Sequence, residues 1–124
     1  MTKLKRSECS ILHLVLKKAW YDKIANGEKR EEYRDVKEYY RVRIGNFIRR
    51  GAEKRSKNSS AKLVVAFSLG MRKPDLFMTV IGCNIYGDCL HPEWGEPNGE
   101  HYVLALGRQV IVTDESEETK PCKH

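Results

Sequence analysis

A chain of 124 residues, 40% of them hydrophobic, is long enough for one buried core, too short for two, and too apolar to remain disordered. With 23 Lys and Arg against 17 Asp and Glu, the formal charge of +6 permits a polyanionic partner without demanding one. No apolar run reaches the roughly 18 residues that span a bilayer, and the N-terminus lacks a signal peptide's continuous apolar stretch, so no membrane partner and a cytoplasmic location are expected.

In that compartment Cys9, Cys83, Cys89 and Cys122, scattered and partly terminal, read as reduced thiols rather than a disulfide framework. Cys83, Cys89 and His91 are close in sequence, but C-x5-C-x-H has no second ligand pair and is not a zinc spacing. Neither a metal nor another cofactor is expected.

Residues 1–10 hold Lys3, Lys5 and Arg6 without apolar periodicity and are expected to be a flexible lead-in to a domain spanning 11–112. The run Ile11 to Leu16 has strand length and β-branched residues, and predicts the first buried strand. His13 interrupts it and reads as a hydrogen-bonded strand residue rather than a catalyst. From Lys18 to Asn26 the spacing predicts a helix, with Trp20 and Ile24 four apart on one face. Trp20 has two readings, a core aromatic or a ring platform for a base.

Gly27 follows that helix and suits a left-handed stop. The chain then reads Glu28-Lys29-Arg30-Glu31-Glu32-Tyr33-Arg34. If Arg30 to Arg34 is extended, alternation puts Glu32 and Arg34 on one face and Tyr33 on the other, where Tyr33 is expected to be structural. The bend places Lys29 at the mouth. Lysine, carboxylate and guanidinium then form a small polar site for an anionic or hydrogen-bonding ligand.

The pattern Gly27-x-Lys29-x-x-Glu32-x-Arg34, preceded by an apolar strand and a Trp-bearing helix, resembles the signature of the ASCH domain family of the PUA-like superfamily. The likeness extends more loosely to His101-Tyr102-Val103-Leu104-Ala105-Leu106. It implies a PUA-like barrel with the Lys29 motif lining a cleft that binds RNA or a modified nucleobase. Lys29 and Arg34 would donate to phosphate or carbonyl oxygens and Glu32 would accept.

Beyond the motif, Asp35-Val36-Lys37-Glu38 has the form of a capping box opening a second helix. Tyr40, Ile44, Phe47 and Ile48 predict its buried stripe. Arg49, Arg50, Lys54, Arg55 and Lys57 then read as a basic loop against the single Glu53, with Asn58-Ser59-Ser60 following. Such clustering suits the phosphate backbone of a nucleic acid. Lys62 to Leu69 and Phe77 to Ile85 predict strands, with Gly82 at a bulge. Leu90 to Glu100 is turn-rich and predicts a long loop, in which Trp94 is the residue expected to matter. A last strand or hairpin around Gly107-Arg108 covers His101 to Val112, and 113–124 reads as a disordered acidic tail with Asp114, Glu115, Glu117 and Glu118.

The elements give an α+β class, a mixed or antiparallel β-barrel flanked by two or three helices. The leading functional expectation is RNA or nucleotide-like ligand binding by Lys29, Glu32, Arg34 and Trp20, with the basic loop on the backbone. A hydrolase acting on a modified nucleoside or RNA is the alternative, since similar proteins include acylcytidine amidohydrolases and ribonucleases. In those amidohydrolases a threonine stands where this chain has Glu32, which leaves Lys29 and Glu32 only acid–base chemistry. The family's association with transcriptional coactivators adds a third expectation, a protein-interaction module.

Overall fold

The computed structural model of the chain describes residues 1–114. Six strands and two α-helices among them follow the order β1 (Lys3–Lys5), β2 (Cys9–Leu16), α1 (Lys18–Ala25), β3 (Glu31–Asp35), α2 (Glu38–Lys57), β4 (Lys62–Leu69), β5 (Leu76–Tyr86) and β6 (His101–Thr113). Short 3-10 turns occupy Arg6–Glu8 and Pro92–Trp94. The acidic run expected from Thr113 onward, with Glu115, Glu117, Glu118 and Cys122, lies outside the described residues apart from Thr113, which ends β6, and Asp114.

The class is α+β, with a mixed six-stranded sheet that the main chain leaves open. Its order is β1-β6-β5-β4-β2, with β3 also paired to β6. The long strand β6 is the spine. It lies antiparallel to β5 on one edge, while its other edge takes β3 antiparallel at His101 to Ala105 and β1 parallel at Ile111 to Thr113. At the far side β2 runs parallel to β4, leaving its own outer edge without a strand partner among the described residues.

The buried core gathers Ile24 from α1, Ile44 and Phe47 from α2, and Leu12, Phe67, Leu76 and Leu104 from the sheet. Alternation in β2 sends Leu12, Leu14 and Leu16 inward and His13 and Val15 outward, so this strand is half-buried rather than buried throughout. Helix α2 is pinned to β2 where Ser10 Oγ donates to the Phe47 carbonyl oxygen at 2.7 Å.

Several expectations are corrected by this arrangement. The lead-in contains β1, whose pairing uses backbone groups and therefore leaves no apolar signature in its side chains. The capping box does not form: Asp35 stays in the β3 ladder opposite His101, and Lys37 is the N-cap without a side-chain bond. Within α2, Ile48 is exposed and Gly51 takes its place in the buried stripe. A Cβ on Gly51 would collide with Leu63 Cδ2, so the glycine admits β4 rather than breaking the helix. The expected basic loop is accordingly helical through Lys57, and its Arg, Ala, Glu and Lys residues are good helix formers.

No hairpin forms at Gly107-Arg108. Met78 pairs with Gln109 and Val80 with Leu106, so Thr79 alone faces both Gly107 and Arg108, a bulge within one continuous strand. Thr79 Oγ1 accepts from the Arg108 amide at 2.9 Å. The register also shifts between Val80 and Gly82, where a bulge was expected.

Candidate functional site

The site begins with the stop of α1. Gly27 has φ +87°, a conformation that side chains disfavour, and the Lys29 amide donates to the Lys23 carbonyl oxygen at 2.9 Å. This fold-back turns the Lys29 side chain under Trp20 before β3 starts. Along β3 the period of two then brings Glu32 and Arg34 to the same face.

Lys29 Nζ lies 3.2 Å from Glu32 Oε1, and Arg34 Nη2 lies 2.8 Å from Glu32 Oε2. Each carboxylate oxygen thus faces one cation. Lys29 and Glu32 are nearly sealed, 3% and 4% exposed, whereas the Arg34 side chain is 18% exposed. Nζ also donates to the Trp94 carbonyl oxygen at 2.6 Å and lies 5.0 Å from the Trp20 ring centroid and 4.5 Å from that of Tyr33. The two rings offer their negative faces to the ammonium. Burial is the dominant influence on Lys29 and holds its pKa below the ordinary lysine range despite the attraction of Glu32.

These groups floor a cavity of about 270 Å³ bounded by Leu16, Lys17 and Trp20 on one side and Tyr33, Trp94 and Gly95 on the other. That is just under the ~300 Å³ lower bound of small-molecule sites, a size for one planar ring system. Gly95, at φ +79°, approaches Trp20 so closely that a Cβ would meet the ring at 2.7 Å. The turn at Pro92–Trp94 is thereby held against the site, with the Trp94 ring stacked on His91 at 4.1 Å.

Sequence reasoning brought Lys29, Glu32, Arg34 and Trp20 together, and all four line this cavity. Trp20 is half-buried against the core, as its first reading expects, and its ring also forms part of the cavity wall. Two expectations are corrected. Lys29 sits at the floor rather than the mouth, because an ammonium paired with a carboxylate and a carbonyl can be buried. Tyr33 is not turned away from the site: Lys29 precedes the strand, so strand alternation does not govern it, and its long chain folds back over the Tyr33 ring. Burial, then the bond to Glu31 at 2.9 Å, pushes the Tyr33 phenol well above its usual pKa.

The five basic residues of α2 diverge. Arg50 borders a cavity with His13 and Arg43, while Arg55 borders a separate one beside Leu4 and Arg108. Lys54 Nζ donates to the Ser7 carbonyl oxygen, Arg49 pairs with Glu53 along the helix, and Lys57 is the last helical residue. They do not form one patch around the Lys29 cavity.

A buried pair escaped sequence reading altogether. Glu96 Oε2 lies 2.6 Å from His101 Nε2, and Oε1 accepts from the amides of Leu90 and His91, both at 2.8 Å. This ties the loop carrying Trp94 to β6. Cys9, Cys83 and Cys89 are free thiols, with Cys89 Sγ donating to the Glu96 carbonyl oxygen. Among the described residues no group of three His, Cys, Asp or Glu is placed to hold a metal, and no helix is long and apolar enough to cross a membrane.

No protein-family model, curated protein or solved structure matches the chain.

Proposed function

We propose that the Lys29 cavity is the recognition pocket of an ASCH-type, PUA-like protein that binds RNA or a nucleotide-like ligand. The observation that carries this reading is the floor itself: ammonium, carboxylate and guanidinium side by side beneath aromatic walls, in a space sized for one base. A base edge presents carbonyl acceptors and amine donors within a planar ring. Lys29 and Arg34 supply the donors, Glu32 the acceptor, and Trp20 a stacking face. The barrel belongs to the same proposal. Arg34 Nη2 donates from β3 to the Val15 carbonyl oxygen of β2 at 3.1 Å, which supports closure of the sheet at that seam by a side chain in place of a ladder.

A second reading, hydrolysis of a modified nucleoside or of RNA, draws on the same pair. Burial lowers the Lys29 pKa, the direction that favours a general base.

Trp20 and Trp94, the chain's two tryptophans, report on the pocket directly. Fluorescence titration with nucleosides and mononucleotides, including acylated and methylated bases, is expected to show saturable quenching. Lys29→Met, folded by circular dichroism, is expected to weaken it about tenfold or more, the scale of one charge-assisted hydrogen bond. Absence of quenching across the ligand set at millimolar concentration contradicts the pocket. Chromatography of the same samples separates binding from turnover.

A further inference from the structure

The Lys29 cavity is one end of a longer groove. Val15 and Arg34 border both it and a neighbouring cavity of about 430 Å³. His13 and Arg43 border that second cavity and a third of about 310 Å³, which ends at Arg50. The three share walls along the outer edge of β2. From Val15 to Ile11 this edge spans about 13 Å at ~3.3 Å per residue, room for a short stretch of sugar–phosphate backbone.

The charge of the groove is one-sided. Lys17, Arg34, Arg43, Arg50 and Arg72 line it with Lys29, against a single carboxylate, Glu32, whose two oxygens already face cations. Nor are the central arginines loose surface chains. Arg43 Nη2 donates to the His13 carbonyl oxygen at 2.7 Å and Arg34 Nη2 to that of Val15 at 3.1 Å, covering alternate carbonyls of the β2 edge. Arg43 also lies 5.2 Å over the Tyr39 ring and Arg34 5.7 Å over that of Tyr40. Anchored cations lose less freedom on binding than free ones. The Nε atoms of both arginines are buried without a hydrogen-bond partner among the described residues.

We infer that this groove carries the sugar–phosphate backbone of a single-stranded nucleic acid leading away from the base in the Lys29 cavity. Arg43, Arg72 and Arg50 neutralise phosphates, and Tyr39, 60% exposed, and Tyr40 offer stacking faces to flanking bases. The interleaving of guanidinium and ring is what favours a nucleic acid over an acidic peptide. This rests on the base-binding reading of the Lys29 cavity, and relocates the backbone-binding cations from the α2 basic run to the β2 edge, with Arg50 common to both.

Anisotropy titrations of a labelled short single-stranded RNA, run beside mononucleotide titrations at several salt concentrations, test it. The oligonucleotide is expected to bind at least about tenfold tighter than the mononucleotide. Arg43→Glu and Arg72→Glu are each expected to weaken it about tenfold and to reduce the salt slope by about 0.7 for each phosphate left without its cation, without moving mononucleotide affinity. Arg72 is exposed, so its variant reports even where Arg43→Glu disturbs the β2 edge. Arg55→Glu, on the separate cavity, is expected to change neither. Equal affinity for oligonucleotide and mononucleotide, equal losses in Arg55→Glu and Arg72→Glu, or displacement of the RNA by polyglutamate as efficiently as by unlabelled RNA overturns the groove. RNA affinity that needs Arg72 but is unmoved by Lys29→Met, with no mononucleotide binding, upholds the groove and retires the cavity reading instead.

Discussion

Arg34 reaches from β3 to β2 and donates from Nη2 to the carbonyl oxygen of Val15 at 3.1 Å. The same nitrogen lies 2.8 Å from Glu32 Oε2. One guanidinium therefore joins two strands that share no ladder and holds the floor of the cavity in register with its wall.

Arg34→Met keeps much of the volume but removes both bonds, leaving Glu32 with Lys29 alone. Breaking a buried pair costs about 3–5 kcal/mol, and the partial exposure of Arg34 puts the expected loss lower, at about 2 kcal/mol. Urea unfolding measures it. Arg34→Lys is expected to recover only part, since one ammonium lacks the planar fork that spans carboxylate and carbonyl. A loss under about 0.5 kcal/mol in Arg34→Met would show that the seam does not depend on this side chain.

Gly95 and Gly99 both have positive φ, but only Gly95 faces an obstacle. Gly99→Ala is expected to cost about 1 kcal/mol, the backbone term alone. Gly95→Ala adds a collision with the Trp20 ring and is expected to cost about twice as much or more and to alter tryptophan emission. Equal losses for the two variants, with unchanged emission, would mean that the loop does not press on Trp20.

The Glu96–His101 pair sets a pH dependence. His101 Nδ1 faces the Gly99 carbonyl oxygen at 2.6 Å while Nε2 faces the Glu96 carboxylate, so acceptors lie at both ring nitrogens and select the imidazolium. Burial acts to lower the His101 pKa, but these bonds outweigh it and raise it above the ordinary 6.5. Burial likewise acts to raise Glu96, yet the bonds from His101 and the two amides hold it below 4.5. The carboxylate's contribution is present above the unfolded value of 4.5 and lost as pH falls through the folded one. That of the imidazolium is complete below 6.5 and lost as pH rises through the folded value. The two titrate as a pair, worth most between about pH 4.5 and 6.5. Glu96→Gln is expected to cost about 3 kcal/mol within that window and to flatten the profile of stability against pH. A variant profile parallel to wild type would contradict the pairing.

Much of the site was legible because its spacing is dictated locally. Gly27 marks a backbone conformation only glycine adopts easily, and alternation along β3 forces Glu32 and Arg34 together. What was hidden is of another kind. The second hydrogen-bond partner of Lys29 is a main-chain carbonyl at Trp94, an acceptor every residue has, so no side-chain pattern announces it. Glu96 in a turn-rich loop reads as solvated until β6 brings His101 beneath it. Gly51 lies within the run expected to be a basic loop and Gly107 at the expected turn, but each is required by a neighbour distant in sequence, Leu63 and Thr79, that leaves no room for a Cβ. The groove could not be read at all, since Arg34, Arg43 and Arg72 meet only after β2, β3, α2 and the turn beyond β4 are assembled.

Whether the Lys29 cavity receives a base is tested most directly by a two-dimensional nitrogen–proton NMR titration with a mononucleotide. Saturable shifts are expected at the Gly95 amide, the Trp20 indole N–H and the Arg34 side chain, and are expected to vanish in Lys29→Met. Shifts confined to the surroundings of Arg55, Lys62 and Arg108, or none at saturating ligand, would contradict it.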